Sequence, residues 1–389
     1  MTTAPSAFAD TAEFEGGPVL ARRAVLLDCG RKAFSVTWVR RLVRYMATLG
    51  LNELQLHFAD NGRLGITSAR HPEVNVAPQW ASSQVRDIVD FAAECGVSVV
   101  PELDMPGHIG WLLSAHPEFA MSGGGADGVI DITNDAAIAF LDDIIDEYAE
   151  LFAGSPHWHL GFDEIFSPFT QGQAAGRLAD IAREKFGPLA NEHDLITDVA
   201  NRYVTQLAQR GFGVGVWNDT LLKSAVVPLD RTVTVNYWTR WNDTYAAAGD
   251  IAAAGYSLLN YNDYLLYYAL APQYEHPTVE RILKLWRPEV FSPRLQFDPQ
   301  SLIKGGTLVI DSSVQSMFPK PEFQILDRNA DNITGATFSI WADMPEAETE
   351  DQIFTHVKEP LAAFALKAWN PNSSVTANRV RQIVREATG

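Results

Sequence analysis

The chain has 389 residues, 47% apolar and 20% charged, with 30 Lys+Arg against 48 Asp+Glu and a formal charge of −18. That length fits two ordinary domains or one large barrel, and the acidic balance argues against nucleic-acid or anionic-membrane partners, which need a basic footprint. Two cysteines, Cys29 and Cys95, are too few for a disulfide framework or a zinc cluster and read as structural.

Residues 1–22 are small and polar, with Gly-Gly-Pro before the first apolar run, and read as a mobile lead. They lack the basic start and continuous apolar core of a signal peptide, so the expected location is cytoplasmic. No stretch of about 18 apolar residues occurs, so no membrane span is expected. The oligomeric state is left open.

From there short apolar runs alternate with amphipathic stretches. The runs are AVLLDCG (24–30), ELQLHFAD (53–60), VSVVPELD (97–104), HWHLGFDE (157–164), GVGVWND (213–219), TVTVNYW (232–238), YSLLNYN (256–262) and ATFSIWAD (336–343). Each reads as a strand buried on both faces, as in a parallel sheet. Between them, 35–49 begins at the N-cap candidate Ser35, carries Val39, Leu42, Val43 and Met46 on one stripe, and ends before Gly50. Residues 82–95 repeat this with Val85, Ile88, Val89 and Ala92, closed by Gly96. Helices are also expected over 135–153, 195–210, 244–254, 351–369 and 374–387, with Pro360 kinking or breaking the penultimate one. Eight strands, each followed by a helix or excursion, predict an α/β protein, a (β/α)₈ TIM barrel in one domain over 23–389. The 263–335 excursion is too long for one crossover helix, and its LVI run (308–310) is a candidate further strand. A doubly wound open sheet is the alternative.

In such barrels chemistry sits at the C-terminal ends of the strands. Those ends carry, in order, Asp28 and Arg31; His57 and Asp60; Glu102, Asp104 and His108; Asp163 and Glu164; Trp217 and Asp219; Trp238; Asn262 and Tyr264; Trp341 and Asp343. Aromatic walls stack on the apolar faces of sugar rings, and carboxylates with an arginine bind hydroxyls. The adjacent pair Asp163-Glu164 can place two carboxyls in one site, where each raises the other's proton affinity and one serves as a general acid; taken alone, the pair reads more readily as an N-cap beside a solvated acid. His57, His108 and His159 invite a zinc reading, but no H-E-x-x-H pattern occurs and a strand-end His more often partners an acid. No G-x-G-x-x-G loop follows any strand, so no phosphate-bearing cofactor is expected, and without metal-ligand spacing among the histidines no metal is expected either.

The runs RAVLLDCGR (23–31), LHFAD (56–60), PELDMPGH (101–108), HLGFDE (159–164), VWND (216–219), YW (237–238), LLNYNDYL (258–265) and SIWAD (339–343) resemble, in order, family 20 glycoside hydrolases, the β-N-acetylhexosaminidases. The resemblance implies a retaining exo-enzyme acting on terminal β-linked GlcNAc or GalNAc, in a small molecule or an oligosaccharide, by attack of the substrate's own acetamido oxygen. It implies Glu164 as general acid/base, Asp163 as the residue orienting the acetamido group, and Tyr264 as the donor to its oxygen. Arg31, Asp60, His108, Asp219 and Asp343 would contact or support the sugar, and Trp217, Trp238 and Trp341 would form walls. His57, Asp104 and His159 would stand behind them. The sequence departs from the family at Phe162, where a glycine is usual, at Lys32 for His, and at Asp343 for Glu. Alternatives within the resemblance are a poly-β-1,6-N-acetylglucosamine hydrolase and a sugar-binding homologue impaired in catalysis.

Overall fold

The computed structural model describes residues 17–122, 128–166, 173–241, 243–271, 275–294, 303–304, 307–308, 321–327 and 331–388. Eight parallel strands close into a barrel: β1 Arg22–Asp28, β2 Glu53–Asp60, β3 Ser98–Met105, β4 His157–Gly161, β5 Gly213–Trp217, β6 Thr234–Tyr237, β7 Ser257–Asn260 and β8 Ile333–Trp341. Each pairs with its neighbours in chain order, and β8 returns to β1 with Arg22 to Leu27 opposite Gly335 to Ile340. The closed sheet removes the open doubly wound alternative.

Side chains alternate in and out along each strand. Val25 and Leu27 of β1, Leu54, Leu56 and Phe58 of β2, Trp158 and Leu160 of β4, and Phe338 and Ile340 of β8 join the large core between barrel and helices. The inward positions are a separate population. Leu26, Trp217, Leu259 and Tyr261 form a small apolar cluster there, and many of the others are polar: Glu53, Gln55, His57, Glu102, His159, Asn236 and Ser339 are all buried. Burial on both faces therefore holds as expected, but only the outer face is continuously apolar; the inner face mixes that small cluster with polar side chains. Burying a polar group costs unless it is bonded, and part of the interior is bonded in a chain while other atoms, both Asp104 oxygens among them, have no partner among the described residues. Arg22 clamps Glu53, Tyr261 donates to Gln55, and Gln55 donates to Glu102 at 2.7 Å. This chain of polar contacts leads from the barrel floor to the strand ends.

Helices α1 Val36–Thr48 and α2 Ser82–Glu94 lie where the periodicity puts them. Ser35 Oγ accepts the Trp38 N–H at 3.2 Å, the N-cap bond its position predicts. Helices follow over Asp135–Leu151, Glu192–Gln209 and Ala248–Ala253. A helix over Gln173–Phe186 lies outside the expected set; its buried face is Ala174, Leu178, Ala179 and Ala182. The helix Glu350–Trp369 runs through Pro360 instead of breaking there. Pro360 is itself buried among Val357, Leu361 and Phe364, and burial of such side chains, about 1.5–3 kcal/mol each, outweighs one missing N–H bond. Ala377–Thr388 forms the last helix. Among the described residues, none of the helices is long and apolar enough to cross a membrane.

At the other end, residues 1–16 of the expected lead lie outside the described residues, while Val19 and Leu20 N–H groups bond the carbonyls of Trp369 and Ala368. Within the 263–335 excursion, Tyr267–Ala269 adds a short parallel strand to the end of β8. Val290–Arg294 pairs antiparallel with Glu322–Ile325. Of the LVI run, Leu308 ends a two-residue strand, Thr307–Leu308, paired with Ile303–Lys304; residues 309–310 lie outside the described residues.

Candidate active site

The last inward side chains of the strands converge on one mouth. From the β1 end, Asp28 is fully buried and accepts the Arg31 backbone N–H and its Nη1, both at 2.8 Å, and the Ala342 N–H at 3.0 Å. Arg31 Nη2 reaches Asp60 Oδ2 at 2.9 Å. Burial opposes the guanidinium charge, but Asp28, Asp60 and Asp343 outweigh it. The Arg31 side chain is thereby fixed over the Trp341 ring, 5.5 Å from its centroid.

Asp60, at the end of β2, is a hub. Its Oδ2 lies 2.9 Å from His57 Nε2 and 3.4 Å from His108 Nδ1, besides Arg31. Burial would raise its pKa, yet Arg31 and His108 hold it well below the usual carboxylate range. Beneath it, Glu102 of β3 accepts Trp217 Nε1 at 3.0 Å and sits 3.1 Å from His159 Nδ1 and 3.3 Å from His57 Nδ1. Burial penalises the charge of Glu102, and the two histidines more than compensate, holding it below its ordinary value.

His108 takes the left-handed region, φ 54°. It stands between two groups of acids: its Nε2 is 3.5 Å from Glu164 Oε2 and 3.7 Å from Asp163 Oδ2. Burial works against its charge, but Asp163 and Asp60 lift its pKa well above the usual imidazole value. Asp60, His108 and Glu164 thus form one line of side-chain contacts from the barrel to the cleft.

The acids sit on a strained turn. After β4, Gly161, Phe162 and Glu164 have φ of 77°, 68° and 46°. Gly161 is required twice: its φ is left-handed, and a Cβ there would lie 1.7 Å from Asp104 Oδ1. Phe162 adopts that region without glycine's freedom, its ring fully buried and its N–H bonded to the Met105 carbonyl at 2.9 Å. Such strain persists where the surroundings over-determine it, commonly at functional sites. The turn presents Asp163 at 16% side-chain exposure and Glu164 at 37%, so Glu164 is the acid that a ligand reaches from the open side. Asp219, after β5, fixes the turn by accepting the Glu164 N–H at 2.8 Å.

Aromatic rings line the rest. Trp238 Nε1 donates to Asp219 Oδ1 at 3.1 Å. Its ring is parallel to Tyr267 within 4°, centroids 6.4 Å apart, and Tyr267 meets Trp341 at 5.8 Å. Trp217 lies lower, 1% exposed, against Tyr261 and Trp341.

The structure therefore brings together Arg31, Asp60, His108, Asp163, Glu164, Trp217, Asp219, Trp238 and Trp341, with His57, Asp104 and His159 behind them. Asp343 is at the exposed rim, within the field of Arg31. Tyr264 is not part of the cluster, which corrects the sequence reading. Strand β7 ends at Asn260, and the one-turn helix Asp263–Leu266 turns the Tyr264 ring onto Phe323 and beneath Arg281. The short strand after that helix delivers Tyr267 instead, half-buried against Trp238 and Trp341, where burial and then the charges of Asp263 and Asp163 oppose ionisation of its hydroxyl. Nothing in the spacing separates Tyr264 from Tyr267 and Tyr268. Glu102, seen as a strand-end acid, proves to be the anchor of two histidines and a tryptophan.

Ligand atoms of His57, Glu102 and Asp104, and of Asp104, His108 and Asp163, lie within 4.8 Å of one another, close enough in geometry to hold a cation. The histidines and Glu102 are already committed to one another and to Asp60, which makes both groups parts of one proton network.

The family model for the glycosyl hydrolase family 20 catalytic domain matches residues 21–372. The lacto-N-biosidase of Bifidobacterium bifidum is 24% identical over 90% of this chain and 28% of its own length. A Porphyromonas gingivalis β-hexosaminidase is 26% identical over 61% of this chain and 32% of its own. The chain thus spans about three tenths of these curated relatives. Among solved structures, dispersin B superposes with a TM-score of 0.67 at 21% identity, covering 89% of this chain and 99% of that one. Flavobacterium johnsoniae chitobiase gives 0.69 at 20%, covering 95% and 51%. With the family model spanning nearly the whole barrel and the paired acids at its mouth, the chain belongs to glycosyl hydrolase family 20.

Proposed function

We propose that the chain is a retaining exo-β-N-acetylhexosaminidase using substrate-assisted catalysis. The observation that carries this reading is that the two acids at the cleft are consecutive residues joined by one histidine. An ordinary retaining glycosidase needs two carboxyls about 5–5.5 Å apart across the scissile bond, one of them the nucleophile. Neighbours on one turn are poorly placed for that, but well placed to serve opposite ends of a reaction whose nucleophile belongs to the sugar.

In this reading the acetamido oxygen attacks the anomeric carbon while the bond to the leaving oxygen breaks. Glu164, poised by His108 and by its N–H bond to Asp219, gives its proton to that oxygen. Asp163 accepts the acetamido N–H and stabilises the positive charge of the oxazolinium formed. Tyr267 donates to the acetamido oxygen, and Trp238 and Trp341 enclose the acetyl group and ring. Water then adds to the anomeric carbon, Glu164 takes its proton, and the C–O bond to the acetamido oxygen breaks, so configuration is retained. Holding the nucleophile on the substrate gains several kcal/mol from proximity. Arg31, clamped by Asp28 and Asp60, faces the sugar hydroxyls.

A second reading is release of a terminal disaccharide. It is favoured by the lacto-N-biosidase similarity, which covers more of this chain than the hexosaminidase one, and by Asp343, shorter by one methylene than the family's usual Glu. Proton NMR of a nitrophenyl β-GlcNAc digest tests the first reading: the β-anomer of GlcNAc appears first, and an α-anomer first overturns it. A nitrophenyl lacto-N-bioside cleaved in preference to the monosaccharide would establish the second.

A further inference from the structure

Asp104 has no role in the chemistry just described, yet it is one of the most deeply buried carboxyls in the barrel, 1% exposed. Neither of its oxygens has a hydrogen-bond partner among the described residues, and Asp163 Oδ1, also buried, lacks one too. Ligand atoms of Asp104, Asp163 and His108 lie within 4.8 Å of one another. The space Asp104 occupies is kept open by Gly161, whose missing Cβ would collide with it. Two carboxyls with orphaned oxygens thus meet behind the acid turn.

Both cannot be ionised cheaply. The groups facing Asp104 are Asp163 after β4, His108 beyond β3, His57 on β2 and Glu102 on its own strand. The two histidines could offset a charge, but His57 is engaged by Asp60 and Glu102, and His108 by Asp60 and the acid turn. An ionised carboxylate without a donor, beside a second one, is the costly case of buried charge. One proton shared between the acids gives an orphaned oxygen of each carboxyl a partner. It belongs on the more deeply buried partner, because Asp163 keeps some contact with water.

We infer that Asp104 is a neutral carboxylic acid that donates its O–H to Asp163, so that Asp163 stays anionic and is held facing the substrate's amide. Asp104 is then a positioning residue acting through Asp163. Burial and the nearby Asp163 charge push its proton affinity in the direction this requires. The inference rests on the proposed hexosaminidase reading for its consequence, not for the shared proton.

Two measurements test it. Infrared difference spectra of the intact protein at neutral pH, wild type against Asp104→Asn, should show a protonated-carboxyl carbonyl band that the variant lacks; this readout needs no activity, so its failure is distinct from failure of the functional reading. In kinetics on nitrophenyl β-GlcNAc, Asp104→Asn retains an N–H donor that cannot ionise. It should keep kcat within about tenfold of wild type, lose the alkaline fall caused by ionising Asp104, and leave KM near its original value. Asp104→Ala should lose about a hundredfold or more in kcat. Absence of the band, or an Asn variant as inactive as the Ala variant at an unchanged melting temperature, overturns the inference. Should the Ala variant not fold, the band and the pH profile of the Asn variant decide.

Discussion

The backbone N–H of Glu164 is bonded to the Asp219 carboxylate at 2.8 Å, although the two residues lie 55 positions apart. One acid thereby sets the position of another, and the same carboxylate holds the Trp238 indole. Burial, then the charge of Asp163, pushes the Asp219 pKa up to about 7, against the pull of the Glu164 N–H. The native chain therefore keeps a proton between about pH 4 and pH 7 that the unfolded chain releases, and stability falls as pH rises through that window. At about 1.4 kcal/mol per pH unit, Asp219→Asn should gain about 2–3 kcal/mol relative to wild type between about pH 5 and pH 7. Urea unfolding of both proteins at the two pH values checks this; a constant difference would contradict it.

Tyr267 and Tyr264 make opposite predictions. Tyr267→Phe removes a hydroxyl from the Trp238–Trp341 cluster and should lower kcat/KM on nitrophenyl β-GlcNAc about 10–100-fold, the range of one lost donor to a developing charge. Tyr264→Phe, whose ring packs on Phe323, should change it by less than about twofold. Steady-state kinetics of the two variants separate the assignments, and the reverse order would restore Tyr264.

Phe162 carries two opposed effects. Replacing it with glycine relieves a left-handed φ, about 1–2 kcal/mol, but deletes a fully buried ring, about 3–5 kcal/mol. Glycine also adds unfolded-state entropy. Phe162→Gly should therefore lose about 2–4 kcal/mol despite restoring the residue usual in the family. Thermal unfolding measures it, and a variant as stable as wild type would show that the strain outweighs the packing.

Activity on nitrophenyl β-GlcNAc should be unchanged after dialysis against a chelator; a loss reversed by added zinc would instead assign the His57–Glu102–Asp104 or Asp104–His108–Asp163 group to a metal.

The barrel was legible because each strand's outer face is continuously apolar and each strand end carries a polar or aromatic residue at a recognisable place. The motifs around Asp163-Glu164 and His108 carried the site for the same reason: they are contiguous in sequence. What escaped was non-local. The polar barrel interior appears in ELQLHFAD as an alternation, Glu53, Gln55, His57, that a run of buried residues conceals. Tyr267 depends on where a one-turn helix stops. Asp104 comes close to Asp163 from a neighbouring strand, and no spacing within either strand announces it.

The most direct measurement compares nitrophenyl β-N-acetylglucosaminide with nitrophenyl β-glucoside, identical apart from the 2-acetamido group. With the nucleophile carried by the sugar, the N-acetylated substrate should be cleaved at least about a thousandfold faster in kcat/KM. Equal rates on the two would contradict substrate-assisted catalysis at Asp163 and Glu164.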